Sequence, residues 1–184
     1  RVTDSAGEFA EVTSKITVLN VAPSNLQISP IAPINENGVA TLNLSFDDPG
    51  TVDDHTVEVD WGDGSAVEVF TIPTGDRTFS ATHKYFDDNP TGTASDEYAV
   101  KVRLADDDLG ETTATAIAKV NNVAPFNVQI QSIQPVNENG VASLAIGFND
   151  PGTLDSHTVE VDWGDGTVET ISLTVGARNL TANH

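Results

Sequence analysis

The pentapeptide Asp60-Trp61-Gly62-Asp63-Gly64 returns unchanged as Asp162-Trp163-Gly164-Asp165-Gly166, an offset of 102 residues (162 − 60). Laid without gaps, 20–64 and 122–166 agree at 32 of 45 positions. Self-similarity at a fixed period of this length marks a domain used as a building block, and points to an array before it points to an active site. The flanks extend the pattern. Arg1-Val2-Thr3-Asp4 reads like Arg103-Leu104-Ala105-Asp106, and the run from Ile16 to Pro23 reads like Ile117 to Pro125. Leu180 to His184 lines up with Phe79 to His83 after a one-residue deletion. The expected organisation is therefore three pieces: 1–20 as the closing strands of a preceding repeat, 21–122 as a complete repeat, and 123–184 as the opening part of a further one. Such a chain reads as a window on a longer polymer of domains.

The unit folds by strands. In Val39 to Phe46 the even positions are apolar and the odd ones mainly polar. The same alternation governs His55 to Trp61 and Tyr98 to Leu104. Period two with β-branched residues describes strands that put one face on a core. No segment carries a helical period. Turn residues separate the strands at short intervals: Asn35-Glu36-Asn37-Gly38 and Asn137-Glu138-Asn139-Gly140, Asp48-Pro49-Gly50 and Asp150-Pro151-Gly152. Asn-Gly predicts a type I′ hairpin, and Asp-Pro-Gly a tight turn. About seven short strands so punctuated predict a two-sheet sandwich. Asn20-Val21-Ala22-Pro23 and Asn122-Val123-Ala124-Pro125 then act as short, stiff linkers.

Composition narrows the partners. With 28 acidic and 8 basic residues the net charge is −20, which repels nucleic acid and anionic membrane alike. No apolar run is long enough to cross a bilayer, so no membrane insertion is expected within this segment. Cysteine is absent, which removes disulfides and thiolate metal sites. The carboxylates either keep the surface solvated or converge on divalent cations, for which oxygen donors favour Ca2+.

The order Trp61-Gly62-Asp63-Gly64, His83-Lys84-Tyr85, Val100 to Asp106, Gly110 and Asn122-Val123-Ala124-Pro125 resembles the polycystic-kidney-disease (PKD) repeat, an immunoglobulin-like β-sandwich. The resemblance covers nearly the whole chain. It implies an all-β fold of tandem immunoglobulin-like sandwiches, serving as spacer, adhesive or stalk modules of extracellular or cell-surface proteins. Similar domains also sit beside the catalytic domains of secreted hydrolases, and some bind Ca2+ at their N-terminal pole.

Individual candidates divide on their position. Trp61 and Trp163 continue the inward phase of Val57 and Val59, which makes them core and not sugar platforms. Asp63 and Asp165, flanked by glycines, read as turn residues. His83 with Tyr85 reads as a lock between strands, with His184 in the same slot. His55 and His157 are structural donors or, less simply, metal ligands. No nucleophile motif and no phosphate loop is present, so no catalytic residue is expected. In an immunoglobulin-like topology the turn holding Asp47, Asp48, Asp53 and Asp54 shares a pole with Asp106, Asp107 and Asp108. Like charges so placed repel, and a cation bridging them would turn repulsion into a crosslink. The expected Ca2+ ligands are Asp48, Asp53, Asp54, Asp106 and Asp107, with Asp150 and Asp155 in the next copy; Asp47 and Asp54 are replaced there by Asn149 and Ser156.

The leading expectation is a non-catalytic structural repeat of an adhesin, surface layer or filament: a stiff, acidic, calcium-stabilised rod. Its partners would be neighbouring repeats, other copies in a fibre, and a cell-surface or matrix ligand. The alternative is an accessory carbohydrate- or matrix-binding module of a secreted hydrolase. Aromatics at 6% leave little surface for stacking on sugars.

Overall fold

Alternation in the sequence becomes alternation in space. In a computed structural model describing residues 1–89 and 92–184, the chain is all-β, and no helix occurs among the described residues. Among the described residues fifteen strands form in chain order. β1 (Val2–Thr3) and β2 (Phe9–Ala10) make a small exposed hairpin. β3 (Ser24–Ile28), β4 (Ile34–Asn35), β5 (Val39–Asp47), β6 (His55–Asp60), β7 (Glu68–Ile72), β8 (Thr78–Lys84), β9 (Ser95–Asp106) and β10 (Glu111–Asn121) follow. They assemble into two sheets, β3-β5-β8 and β4-β10-β9-β6-β7. All pairings are antiparallel except β4 with β10, which run parallel.

Each sheet turns one face inward. Ala40, Leu42, Leu44 and Phe46 of β5 meet Val57, Val59 and Trp61 at β6 and Val100, Val102 and Leu104 of β9 in one buried cluster. Trp61 is fully buried, as its phase requires. Tyr85 donates its hydroxyl hydrogen to the Trp61 carbonyl at 2.8 Å and Tyr98 donates to the Asp87 carbonyl at 3.1 Å, so both phenols are satisfied inside the core.

The second copy repeats the pairings. β11 (Phe126–Ile130), β12 (Ser143–Asn149) and β15 (Asn179–Asn183) reproduce β3-β5-β8, and β13 (His157–Asp162) with β14 (Val168–Leu173) reproduces β6-β7. Leu144, Ile146, Val161 and Ala182 form its smaller core. Among the described residues no apolar side chain is shared between the two clusters. Counterparts of β9 and β10 are not in the chain, so Trp163 is only half-buried where Trp61 is sealed.

One turn departs from the sequence expectation. Asn35-Glu36-Asn37-Gly38 is not a type I′ hairpin: β4 and β5 lie in different sheets, and the turn carries the chain across. Asn37 takes φ 60° and the Gly38 N–H donates to the Asn35 carbonyl at 3.0 Å, while Gly38 keeps an ordinary negative-side backbone. Glycine is needed there for space, since a Cβ would stand 2.5 Å from the Asn35 oxygen. Asn139 and Gly140 repeat the arrangement. A second left-handed residue escaped the sequence reading. Asn25 (φ 50°) sits at a register shift between β3 and β5, and Asn127 (φ 51°) occupies the same shift between β11 and β12. Asn tolerates this conformation better than most residues with a side chain.

Candidate functional site

The acidic pole of the complete copy is built by three segments. The turn after β5 supplies Asp48 and Asp53, the end of β9 supplies Asp106, and the incoming linker packs against the end of β9. One carboxylate oxygen from each of Asp48, Asp53 and Asp106 lies within 4.8 Å of the others. The linker is tied in by Asn20, whose Nδ2 donates to Asp106 Oδ2 at 2.8 Å. A Cβ on Gly110 would stand 2.6 Å from the Ala22 Cα, so the hairpin after β9 and the linker touch.

Asp54 and Asp107 do not join this group. The Asp54 carboxylate accepts a hydrogen bond from the Thr74 hydroxyl, on the turn between β7 and β8. Asp107 is exposed at the hairpin tip.

The three convergent carboxylates differ in how much bonding capacity is committed. Asp48 Oδ1 accepts the Gly50 N–H at 2.7 Å and Oδ2 pairs with His55 Nε2 at 2.8 Å, with both side chains fully buried. Asp106 Oδ1 accepts the N–H groups of Asp108 and Gly110, and Oδ2 takes Asn20. Asp4 does the same in the first hairpin, accepting from Ala6 and Glu8. Asp48 and Asp106 are thus turn-builders; a carboxylate oxygen offers two lone pairs, so these bonds do not exhaust their capacity as acceptors. Asp53 lies above its ordinary pKa, first through desolvation and then through the field of Asp48, Asp107, Asp106 and Asp108.

Two further contacts were not foreseen and recur in both copies. Arg77 Nε donates to the Asp48 carbonyl at 3.4 Å, and its Nη2 donates to the Gly50 carbonyl, clamping the Asp-Pro-Gly turn. Arg178 does this for Asp150 and Gly152, and its Nη1 lies 3.4 Å from His157 Nδ1. A guanidinium can only donate, so His157 Nδ1 accepts and Nε2–H donates to Asp150 Oδ2 at 2.8 Å. The signal was available: Arg77 and Arg178 match once the one-residue deletion is applied. His55 and His157 are therefore structural donors to the turn, although His157 also stands within a grouping of Asp150 and Asp155.

The Trp-Gly-Asp-Gly motif resolves into a local lock. His83 stacks on Trp61 with ring centroids 4.8 Å apart, and its Nε2 meets Asp63 Oδ2 at 2.8 Å. His184, Trp163 and Asp165 repeat both contacts at 4.8 Å and 2.8 Å. Hydrogen bonds from His184 and the Thr167 N–H hold Asp165 down at about 2. At Asp63 burial pushes upward, but the bonds from His83 and Ser65 outweigh it, leaving the carboxyl below its usual range.

The second acidic pole is a junction. The Asp150-Pro151-Gly152 turn of the second copy faces the end of the first, where Thr153 donates its N–H to the Phe86 carbonyl at 3.3 Å. Across the linker, the Val123 N–H donates to Glu36 Oε1 at 2.7 Å. Glu36, Asp87 and Asp88 of the first copy and Asp155 of the second bring one oxygen each within 4.8 Å of one another. Of these four, only Asp155 was singled out in the sequence. No protein-family model matches the chain, and no curated protein sequence matches it.

Proposed function

We propose that this chain is a stretch of a non-catalytic structural array, built of PKD-like, immunoglobulin-like sandwiches. It would belong to an extracellular adhesin, surface layer or filament, and its acidic poles would take up calcium. The observation that carries this reading is the end-to-start contact between successive copies: Thr153 on the Phe86 carbonyl fastens the opening turn of one repeat to the end of the one before, and Val123 on Glu36 ties the linker to that same end. A module used for reach has to pass force through such joints. Further support comes from the repeat itself and from the net charge of −20, which keeps neighbouring rods apart in solution. The burial of Trp61 gives sugar stacking no aromatic platform there, so the accessory-module reading gains nothing from the sandwich face.

Small-angle scattering on the 184-residue chain in millimolar Ca2+ tests the reading. An elongated particle whose two copies lie end to end is expected. Scattering from a single rounded body, with the copies side by side, would remove the array.

A further inference from the structure

The junction between the copies holds buried acid that none of the turn-building roles uses. Glu36 is 3% exposed and Asp88 4% exposed. Glu36 Oε2 and Asp88 Oδ2 are both sealed from solvent and have no hydrogen-bond partner. A buried carboxylate oxygen without a donor is costly, and a buried carboxylate without a counter-charge more so. Here Glu36, Asp87, Asp88 and Asp155 converge, with Asp150 close behind Asp155. Among the described residues no lysine, arginine or histidine forms an ion pair with Glu36, Asp87 or Asp88, and Arg178 is engaged with Asp150 at 3.7 Å.

We propose that Glu36, Asp87 and Asp88 of one repeat and Asp155 of the next bind a single Ca2+ that crosslinks the two repeats. The proposal rests on the end-to-end array described above. It assigns a joint site distinct from the pole formed by Asp48, Asp53 and Asp106.

Three features make this a site and not only a crowd of acids. The first is aim: Glu36 and Asp88, on separate segments (the crossover turn before β5 and the stretch after β8), each carry a buried oxygen without a donor, and their carboxylates fall in one grouping with Asp87 and Asp155. The second is room. Gly152 lets Glu36 Oε2 and Asp155 Oδ2 approach the same point, since a Cβ there would stand 2.3 Å from each. The third is chemistry. All four donors are carboxylates carried outside the strands, and an all-oxygen set with that freedom suits Ca2+, which accepts variable geometry, better than Mg2+, which demands a near-ideal octahedron.

The repeat writes the same donors again. Glu138 is the counterpart of Glu36, and Asp53 the counterpart of Asp155. Two of the four donors thus recur at matching places in the other copy. Because Asp155 completes the donor set from the next repeat, calcium binding and joint alignment become one equilibrium.

Ca2+ binding to the 184-residue chain, followed by calorimetry near neutral pH, tests the site. E36Q and D88N keep shape and remove one charge each. Both are expected to weaken one equivalent of Ca2+ binding by tenfold or more, while their melting curves in chelator stay at or above the parent's. E160Q, which removes the same charge from an exposed face of β13, is expected to leave affinity within twofold. G152A is expected to weaken the same equivalent through crowding. Equal affinities in the parent, E36Q and D88N would overturn the site, as would no Ca2+ binding up to millimolar concentration. Scattering on the same samples separates the two levels: an elongated particle with unchanged affinities withdraws the site and leaves the array standing, whereas copies packed side by side withdraw the array.

Discussion

At the scale of the residue, the motif that first exposes the repeat is a lock for the core. Trp61 is sealed by both sheets, stacked by His83 and capped through its carbonyl by Tyr85. Trp61→Ala is expected to cost about 3–5 kcal/mol, the usual range for deleting a buried aromatic, read as the shift of the urea midpoint. Asp63 and Asp165 carry a pH signature. Their folded pKa values lie below the unfolded one of about 3.9, so their contribution is in place above that pH and is lost as pH falls toward 2. Denaturation midpoints compared at pH 6 and pH 3 should fall steeply for the parent. D63N and D165N should fall less, because the group that must be protonated is gone. An unchanged acid slope in both variants would remove the lock's electrostatic part.

At the scale of the element, the turns decide more than the strands do. Asp48-Pro49-Gly50 is held from three directions, by its own Gly50 N–H, by His55 and by Arg77. Arg77→Leu leaves the Asp48 and Gly50 carbonyls without their donor and is expected to cost about 1–3 kcal/mol in thermal or chemical unfolding. Strand positions and the inward face of each were legible beforehand, because period two is a local property. The crossover at Asn35-Glu36-Asn37-Gly38 was not. Asn-Gly has the same local signature whether the flanking strands pair with each other or with partners far along the chain. The left-handed Asn25 and Asn127 belong to the same class: their role exists only once β3 lies against β5 and β11 against β12.

At the scale of the whole molecule, charge and repetition act together. Carboxylates gathered at the poles repel, and monovalent salt screens that repulsion over roughly 8–10 Å at moderate ionic strength. Raising NaCl from about 20 to 300 mM in chelator is therefore expected to raise the melting temperature. A flat response would mean the acidic poles carry no net strain. The expected pole site was half visible in the sequence. Asp48, Asp53 and Asp106 do meet, because the turn after β5 and the end of β9 share a pole. Asp54 and Asp107 do not, because Asp54 is taken by the Thr74 hydroxyl and Asp107 lies exposed at the hairpin tip. Glu36, Asp87 and Asp88 carried no motif, since they become neighbours of Asp155 only when one repeat stands on another.

From sequence alone came what depends on neighbours along the chain: strands, their inward faces, the tandem copies and the acidic surplus. Tertiary structure alone decided which carboxylates are spent on turns and which are left buried without a donor, because a lone pair is satisfied or orphaned by atoms tens of residues away. The clearest case is Glu36, an unremarked turn residue in the sequence and a sealed, half-bonded carboxylate at the junction.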